Sequence, residues 1–255
     1  MCLVLFALDA HPTQRLVVLA NRDEFYARPT APSSWWDDAP GVLAGRDLEA
    51  GGTWMGVSRS GRWTAVTNVR DPSSIRTDAR SRGDLTRAFL TSDTPPADYA
   101  SEVFHQHDHY NGFNLLIGDG EQTWIVSSRL PEPRQLEPGL YGLSNDTLDT
   151  PWPKVRRGTD GLRQLLRAES FDREAAFSLL ADAEPAPDAE LPETGVGLAW
   201  ERALSSPFIQ MERYGTRAST VLTVSRDGNV DWTERRHLTD DATSISFGLR
   251  GSGTY

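Results

Sequence analysis

The sequence lacks the features of several protein classes. It has a single cysteine, so no intramolecular disulfide can form and a zinc site with four cysteine ligands is excluded. No segment approaches the roughly 18 consecutive apolar residues of a membrane span. The 26 Lys and Arg residues against 36 Asp and Glu residues give a formal charge of -10. Non-specific nucleic-acid binding needs a basic surface, so that class of function is not expected.

The apolar start of the chain does not have the organisation of a signal peptide. Residues 2–8 form an apolar run that stops at Asp9, with no basic segment before it and no small-residue cleavage site after it. We therefore expect a cytoplasmic protein. A chain of 255 residues can bury a substantial core, and we expect one domain over residues 1–255.

Pairs of short apolar segments predict antiparallel hairpins. These pairs are residues 2–8 with 16–20, 54–58 with 62–69, 113–117 with 122–127, and 219–225 with 230–235. A proline-rich loop is expected between the first two hairpins. Helical spacing covers residues 79–91, 96–107, 153–167 and 172–182. Hairpins interspersed with helical blocks predict an α+β fold, in which helices cover antiparallel sheets.

Cys2 is the candidate nucleophile. Initiator methionine is normally removed when residue 2 is small, and the mature residue would then carry a free α-amine beside its thiol. The ordinary pKa values of these groups are about 7.7–8.0 and about 8.5, so both are poised near neutral pH. The amine can act as base for the thiol of the same residue. The alternative is that Cys2 is a small apolar residue buried at the start of a strand.

Four polar residues, 21–24, directly follow the second predicted strand. If the first two strands pair, antiparallel geometry brings Asn21, Arg22 and Asp23 close to Cys2. Arg22 could hold the thiolate or a substrate carboxylate, and Asp23 could accept a hydrogen bond from the α-amine. The alternative is a solvated hairpin end with an Arg–Asp pair.

A series of motifs resembles one known family along nearly the whole chain. The motifs are the Met1-Cys2 start, LANRDEF (19–25), GGTWMG (51–56), TNVR (67–70), YNGFNLL (110–116), LSND (143–146) with DTPWPKV (149–155), and YGTRASTVL (214–222). In this order they resemble the NRDE family, whose eukaryotic members are called transport and Golgi organization protein 2. The resemblance implies an N-terminal-nucleophile hydrolase-like fold, a four-layer αββα sandwich of two antiparallel sheets. Penicillin V acylase and bile salt hydrolase share this fold and cleave amide bonds with a terminal cysteine thiol.

The resemblance also implies roles for individual residues. Cys2 matches the nucleophile, Arg22 and Asp23 follow the second strand where those acylases hold an Arg and an Asp, and Arg217 matches a second arginine near the thiol. Asn145 matches the asparagine that completes the oxyanion hole. Asn68 is expected to be a further polar residue of the pocket wall. Independently of the resemblance, strand pairing places Asn21 beside the same pocket, and Trp54 of GGTWMG is expected to form part of its wall. The structural alternatives are a turn residue at Asn145, a surface ion pair at Arg217 and a strand-end cap at Asn68.

The sequence therefore predicts an N-terminal cysteine hydrolase that acts on a C–N amide bond of a small substrate through an acyl-enzyme. This chemistry requires no metal or organic cofactor. The alternative is a non-enzymatic protein that binds or transports haem, or acyl-CoA or another lipid, because eukaryotic relatives have been implicated in these processes. Under this alternative, Cys2 or a histidine could ligate the haem iron.

Two further groups of residues are expected to be solvated. His105, His107 and His109 could hold a metal, but their polar neighbours indicate a helix end, where histidines suit the helix dipole. Arg80, Arg82 and Arg87 are likewise expected on a solvated helix face.

Overall fold

The computed structural model describes residues 2–249 of the 255-residue chain. The described residues form thirteen strands and five α-helices. The strands are β1 (Cys2–Leu8), β2 (Gln14–Phe25), β3 (Thr30–Trp36), β4 (Ala39–Asp47), β5 (Met55–Ser58), β6 (Trp63–Asn68), β7 (Phe113–Gly118), β8 (Thr123–Ser127), β9 (Arg134–Leu136), β10 (Gly139–Leu143), β11 (Tyr214–Ser225), β12 (Asn229–Arg236) and β13 (Asp241–Gly248). The α-helices are α1 (Gly83–Thr91), α2 (Pro96–His105), α3 (Pro153–Leu165), α4 (Arg173–Leu180) and α5 (Leu198–Ala203). Short 3-10 helices span Pro72–Ser74, His107–His109 and Asp188–Glu190.

The first sheet is built around the N-terminal strand. Its order is β10-β1-β2-β11-β12-β13, and all neighbouring strands are antiparallel. All seven residues of β1 are buried, because the strand lies between β10 and β2 and is covered on both faces. A strand buried on both faces needs apolar side chains at consecutive positions, which explains the apolar run at the start of the sequence.

The second sheet follows the order of the chain. Its strands run β3-β4-β5-β6-β7-β8-β9, again with antiparallel neighbours throughout. Consecutive strands can therefore pair through short connections. The longest connection within this sheet joins β6 to β7 and contains α1 and α2.

The two sheets pack face to face and helices cover their outer faces. Phe6 of β1 meets Trp63 of β6 in the core between the sheets, with ring centroids 5.9 Å apart. On the outside, α3 and α4 pack against the first sheet, and α1 and α2 pack against the second. The predicted α+β class and the four-layer αββα sandwich are confirmed.

The predicted hairpins are present, and two strands are longer than expected. β2 continues to Phe25, so Asn21 and the three residues after it lie within a strand rather than beyond its end. β11 begins at Tyr214, so Arg217 also lies within a strand. The last strand, β13, was not predicted and adds an edge to the first sheet.

Two predictions between residues 26 and 91 are wrong. The segment expected to be a proline-rich loop contains β3 and β4. Pro32 is tolerated because β3 is an edge strand, and Pro40 lies at the second position of β4, before its pairing with β5 begins. The helix expected from residue 79 begins at Gly83.

Within residues 2–249, no helix combines the length and apolarity needed to cross a membrane.

Candidate active site

Cys2 lies at the edge of a cavity at one end of the first sheet. It is the first residue of β1 and pairs in register with Arg22 of β2. The residue is 8% exposed and lines a cavity of about 540 Å³. It belongs to neither of the hydrophobic clusters that flank β1. The predicted proximity of Cys2 to the 21–23 segment is confirmed, whereas the removal of Met1 lies outside the described residues.

Burial raises the pKa of the Cys2 thiol above its ordinary value. The positive amino terminus opposes this rise, the Asp23 carboxylate adds to it, and a backbone hydrogen bond from Asp23 and the charge of Arg22 lower the pKa again. The thiol therefore stays protonated until a base removes its proton, which is the task that a terminal amine can perform.

Asp23 is a buried carboxylate beside this thiol. It is 1% exposed and accepts a hydrogen bond from Thr216 Oγ1 of β11 at 2.7 Å. Burial raises the pKa of Asp23, while the positive charges of Lys154, the amino terminus and Arg70 oppose that rise. The carboxylate is thus surrounded by cations, an environment that suits an acceptor for an ammonium group.

Arg22 is held in place by the neighbouring elements. It is 6% exposed, donates to Thr30 Oγ1 at 3.2 Å and lies 3.7 Å from the Asp47 carboxylate. Its guanidinium is anchored at the cavity wall beside the thiol.

Arg217 reaches the same cavity from a β-bulge. The register between β11 and β2 shifts between Thr216 and Ala218, so Arg217 is the extra residue. A bulge redirects the side chain of such a residue. Arg217 lines the cavity and donates to the main-chain carbonyl of Arg28. Both arginines expected near the thiol therefore line its cavity.

Asn145 and Asn68 are linked by a hydrogen bond and lie at different depths. Asn145 Nδ2 donates to the main-chain carbonyl of Asn68 at 3.0 Å, and its Oδ1 accepts from Ser144 Oγ at 3.1 Å. Asn145 is 1% exposed and is not among the described residues that line the cavity, whereas Asn68 is. The asparagine expected in the oxyanion hole thus lies behind Asn68. Trp54 lines the cavity where a pocket wall was expected.

Asn21 does not line the cavity, and its side chain has a different set of partners. Its Nδ2 donates to the carbonyls of Leu180 and Pro207 at 2.8 and 2.9 Å, and its Oδ1 accepts from Ser219 Oγ at 2.6 Å. Side chains alternate across a strand, so the residue before Arg22 is directed to the other face of the sheet. Asn21 joins β2 to α4 and to the segment before β11, in place of the expected contact with substrate.

The site includes a buried charged residue, close to the thiol, that was not predicted from the sequence. Lys154, near the start of α3, is 1% exposed, and its Nζ has no hydrogen-bond partner among residues 2–249. Burial lowers the pKa of Lys154 to about 8, although the charges of Asp23, Cys2 and Glu201 raise it. One signal was available, because Lys154 is the only lysine in the sequence and lies in the DTPWPKV motif.

A second buried group of charges lies next to Lys154. Arg70 and Glu201 form an ion pair with a 2.6 Å contact, and their side chains are 3% and 5% exposed. Glu201 also accepts hydrogen bonds from the backbone and hydroxyl of Thr194, at 2.8 and 2.6 Å. The ion pair fixes the chain directly after β6, close to the asparagine pair described above.

The cavity is basic although the protein is acidic. Among the described residues, eight arginines line it: Arg22, Arg28, Arg46, Arg76, Arg80, Arg82, Arg217 and Arg236. Four carboxylates line it: Asp23, Glu24, Asp47 and Glu234. The chain as a whole has a formal charge of -10. This concentration of positive charge favours anionic ligands.

The prediction of a solvated helix face is wrong for Arg80 and Arg82. Because α1 begins only at Gly83, both arginines precede the helix and line the cavity. Arg87 lies on the exposed face of α1, as expected.

The three histidines are not part of the cavity. His105 and His107 donate through Nδ1 to the carbonyls of Ser101 and Phe104, at 2.7 and 2.6 Å. Within the described residues, no group of three or more His, Cys, Asp or Glu side chains is arranged to hold a metal ion.

Solved structures share this architecture. Two variants of conjugated bile acid hydrolase from Clostridium perfringens align with TM-scores of 0.56 and 0.51. Each is 10% identical to this chain, and each alignment covers 96% of this chain and 92% of the other. At this identity the likeness concerns the fold alone. Two antiparallel sheets, helices outside them and a cysteine at the start of a central strand define an N-terminal-nucleophile hydrolase-like fold.

Sequence relatives place the chain more narrowly. The family model described as Transport and Golgi organisation 2 matches residues 1–239. The Transport and Golgi organization protein 2 homolog of Bos taurus is 38% identical over 264 residues, which cover 95% of each chain. The Homo sapiens homolog is 34% identical over 262 residues, covering 94% of this chain and 95% of the relative. The chain belongs to the Transport and Golgi organisation 2 family, and the predicted resemblance is confirmed.

Proposed function

We propose that this protein is an N-terminal cysteine hydrolase that cleaves a C–N amide bond of a small substrate. The observation that carries the proposal is the pairing of Cys2 with Arg22 beside the buried Asp23, with all three residues at one cavity. The hydrolase fold supports it, because solved proteins of this architecture are named as hydrolases.

The reaction begins after removal of Met1 has freed the α-amine of Cys2. The amine takes the thiol proton, directly or through a water, and Sγ bonds to the carbonyl carbon of the amide. The carbonyl electron pair moves onto oxygen. When this intermediate collapses, the C–N bond breaks and the leaving amine takes the proton from the α-ammonium. Water then attacks the thioester, its proton passes through the amine to sulfur, and a carboxylic acid is released.

Neighbouring residues have separate tasks in this scheme. Asp23 holds the α-ammonium that forms during the attack, since its carboxylate is buried, anchored by Thr216 and surrounded by cations. Asn68 supplies an amide donor to the oxyanion, because it lines the cavity with the thiol. Asn145 positions Asn68 through the hydrogen bond to its main chain.

The second candidate is a non-enzymatic carrier of haem, or of acyl-CoA or another lipid. The observation that favours it is the excess of arginines in the cavity, because guanidinium groups bind carboxylates and phosphates. Among residues 2–249 no histidine lines the cavity, so Cys2 is the side chain there that would ligate haem iron. A saturating haem absorbance change that is lost in Cys2→Ala would support this candidate.

The hydrolase proposal is tested by measuring the mass of the intact protein and its rate of amide hydrolysis. Intact mass spectrometry establishes whether Met1 is absent, and an acyl-amide panel is then incubated with the wild type and with Cys2→Ala. We expect turnover by the wild type and a decrease of at least about a hundredfold in the variant. Cys2→Ser is the matched control, because it retains a weaker nucleophile of similar size. Equal turnover by wild type and Cys2→Ala, or full activity of protein that retains Met1, would refute the proposal.

A further inference from the structure

The arginines of the cavity divide into two groups. Some are neutralised by carboxylates: Arg46 contacts Asp38 at 2.6 Å, and Arg28 contacts Asp47 at 2.6 Å. Others, namely Arg76, Arg80, Arg82 and Arg217, have no ion-pair partner among residues 2–249, although all line the cavity. Guanidinium groups of like charge repel one another, so an anionic ligand would stabilise such a group.

Arg82 has the most direct relation to the reactive thiol. Arg82 and Cys2 line the same cavity. Burial lowers the pKa of Arg82, and the charges of Cys2 and Glu24 oppose that lowering. Its Nη1 donates to the main-chain carbonyl of Gly112 at 3.1 Å. This bond fixes the side chain and leaves other N–H groups of the guanidinium for a ligand.

The backbone at Arg82 is supported by a close contact between two loops. A Cβ added at Gly52 would lie 2.4 Å from the Gly83 carbonyl oxygen, so only glycine permits this approach. Next to it, Thr86 Oγ1 donates to the Thr53 carbonyl at 2.6 Å. Gly52, the second glycine of the GGTWMG motif, therefore holds the start of α1, and Arg82 with it, against the cavity.

Three of the four carboxylates that line the cavity have partners of their own, and Asp47 is paired with Arg28. Asp23 accepts from Thr216, and Glu234 accepts from the backbone and hydroxyl of Ser33 at 2.9 and 2.8 Å. Burial raises the pKa of both carboxyl groups. Glu24 is the carboxylate whose charge acts on Arg82, and it is outnumbered by Arg76, Arg80, Arg82 and Arg217, so the potential around Arg82 stays positive.

We propose that the cavity selects ligands that carry an anionic oxygen group, a carboxylate or a phosphate, and that Arg82 and Arg217 contact this group. Arg76 and Arg80 lie nearer to solvent and attract the anion toward the cavity. If the proposed hydrolase function holds, its substrates are anionic amides. The selectivity for anions does not itself require turnover.

Alkylation of the thiol tests this preference. Cys2 is the only cysteine in the sequence, so alkylation reports on this site alone. Iodoacetate is an anion and iodoacetamide is neutral, but both react with the same thiolate. The ratio of the two rates therefore cancels the thiol pKa and measures the preference for negative charge. We expect a ratio about tenfold above that of free cysteine.

Three variants separate charge from structure. Arg82→Gln should lower the iodoacetate-to-iodoacetamide ratio by about threefold or more, as expected for removal of one partly screened unit charge. Arg82→Lys keeps the charge and should retain most of the preference. Arg87→Gln is the matched control, because Arg87 lies on the exposed face of the adjoining helix. A wild-type ratio equal to that of free cysteine, or equal ratios in wild type and Arg82→Gln, would overturn the proposal.

Inorganic pyrophosphate provides a second measurement that needs no reaction at sulfur. It should raise the Tm of the wild type and Arg87→Gln, and it should fail to do so for Arg82→Gln. If pyrophosphate raises the Tm and the thiol prefers iodoacetate, the cavity binds both phosphates and carboxylates. If the thiol prefers iodoacetate but pyrophosphate leaves the Tm unchanged, the cavity selects carboxylates. If neither reagent alkylates the thiol, the pyrophosphate result decides, and equal Tm shifts in wild type and Arg82→Gln refute the role of Arg82. These measurements test anion binding independently of the hydrolase proposal, so their result holds whether or not Cys2→Ala abolishes hydrolysis.

Discussion

Replacement of Lys154 by methionine should increase the free energy of unfolding at neutral pH, and this increase should become smaller as pH rises. The ammonium is enclosed, has no hydrogen-bond partner within residues 2–249, and has its pKa lowered by burial from 10.5 to about 8. Because the pKa in the folded state lies below that of the unfolded chain, folding disfavours the protonated form. The free-energy cost of burying the protonated lysine is fully present below about pH 8, and it disappears as pH rises toward 10.5.

The size of the effect follows from the two pKa values. A lowering from 10.5 to about 8 corresponds to a cost of about 3 kcal/mol for folding with a charged lysine. Methionine has similar length and no charge, so Lys154→Met should recover up to about 3 kcal/mol at pH 7, provided that Asp23 stays ionised. By pH 9 the gain should be about 1 kcal/mol smaller.

Two measurements check this reasoning. Urea unfolding of wild type and Lys154→Met at pH 7, 8 and 9 gives the difference in free energy of unfolding at each pH. Since Lys154 is the only lysine, protein labelled with 13C-lysine gives a single Cε signal in an NMR titration. We expect a midpoint of about 8 in the folded protein, and 10.5 in urea. A folded-state midpoint near 10.5, with a stability difference independent of pH, would refute the account of a desolvated ammonium.

Three other predictions concern residues around the site. Asn21→Ala should lose about 2–4 kcal/mol of stability, since it removes three hydrogen bonds, to the buried carbonyls of Leu180 and Pro207 and from Ser219, yet it should leave the alkylation rate of Cys2 unchanged; urea unfolding and iodoacetamide kinetics measure the two effects. Gly52→Ala should lower the Tm and the iodoacetate preference together, because its Cβ displaces the start of α1, and an unchanged preference would contradict this coupling. In protein that retains Met1, the alkylation rate of Cys2 should still rise above pH 9.0, because burial raises the thiol pKa, and a plateau below pH 8 would argue against it.

The parts of the site predicted from sequence are those fixed by neighbouring strands. Residues 2–8 and 16–20 are joined by a short turn, so their antiparallel pairing follows from local pattern, and this pairing alone brings Arg22 opposite Cys2. The face on which a side chain lies depends on where the strand ends. β2 was expected to stop at residue 20, and its continuation to Phe25 places Asn21 on the helix-covered face.

The parts that could not be predicted depend on contacts between distant segments. The helical spacing of residues 79–91 does not show that the helix starts at Gly83, where the chain packs against the distant Gly52. Arg82 therefore resembled a solvated helix residue. In the same way, the presence of a single lysine within a motif marks Lys154 as unusual but does not show that it is buried, because its burial results from the packing of α3 against the first sheet.

The Cys2 thiol and Arg82 are attached to different sheets, and the core between the sheets sets their separation. Cys2, Arg22 and Asp23 come from the first sheet, whereas Arg82 precedes a helix that packs on the second. Protein interiors are close packed, so a change in volume between the sheets shifts one relative to the other. Trp63 lies in that core and outside the cavity, in contact with Phe6 of β1.

Trp63→Phe should therefore change the iodoacetate preference and leave the pH midpoint of Cys2 alkylation in place. The groups next to the thiol that set its pKa move with the first sheet, whereas the distance from the thiol to Arg82 spans both sheets. If the midpoint moved while the preference stayed constant, the thiol and its anion site would not be coupled through the core. Any effect of the thiol on the preference for anions would then have to arise from direct contacts within the cavity.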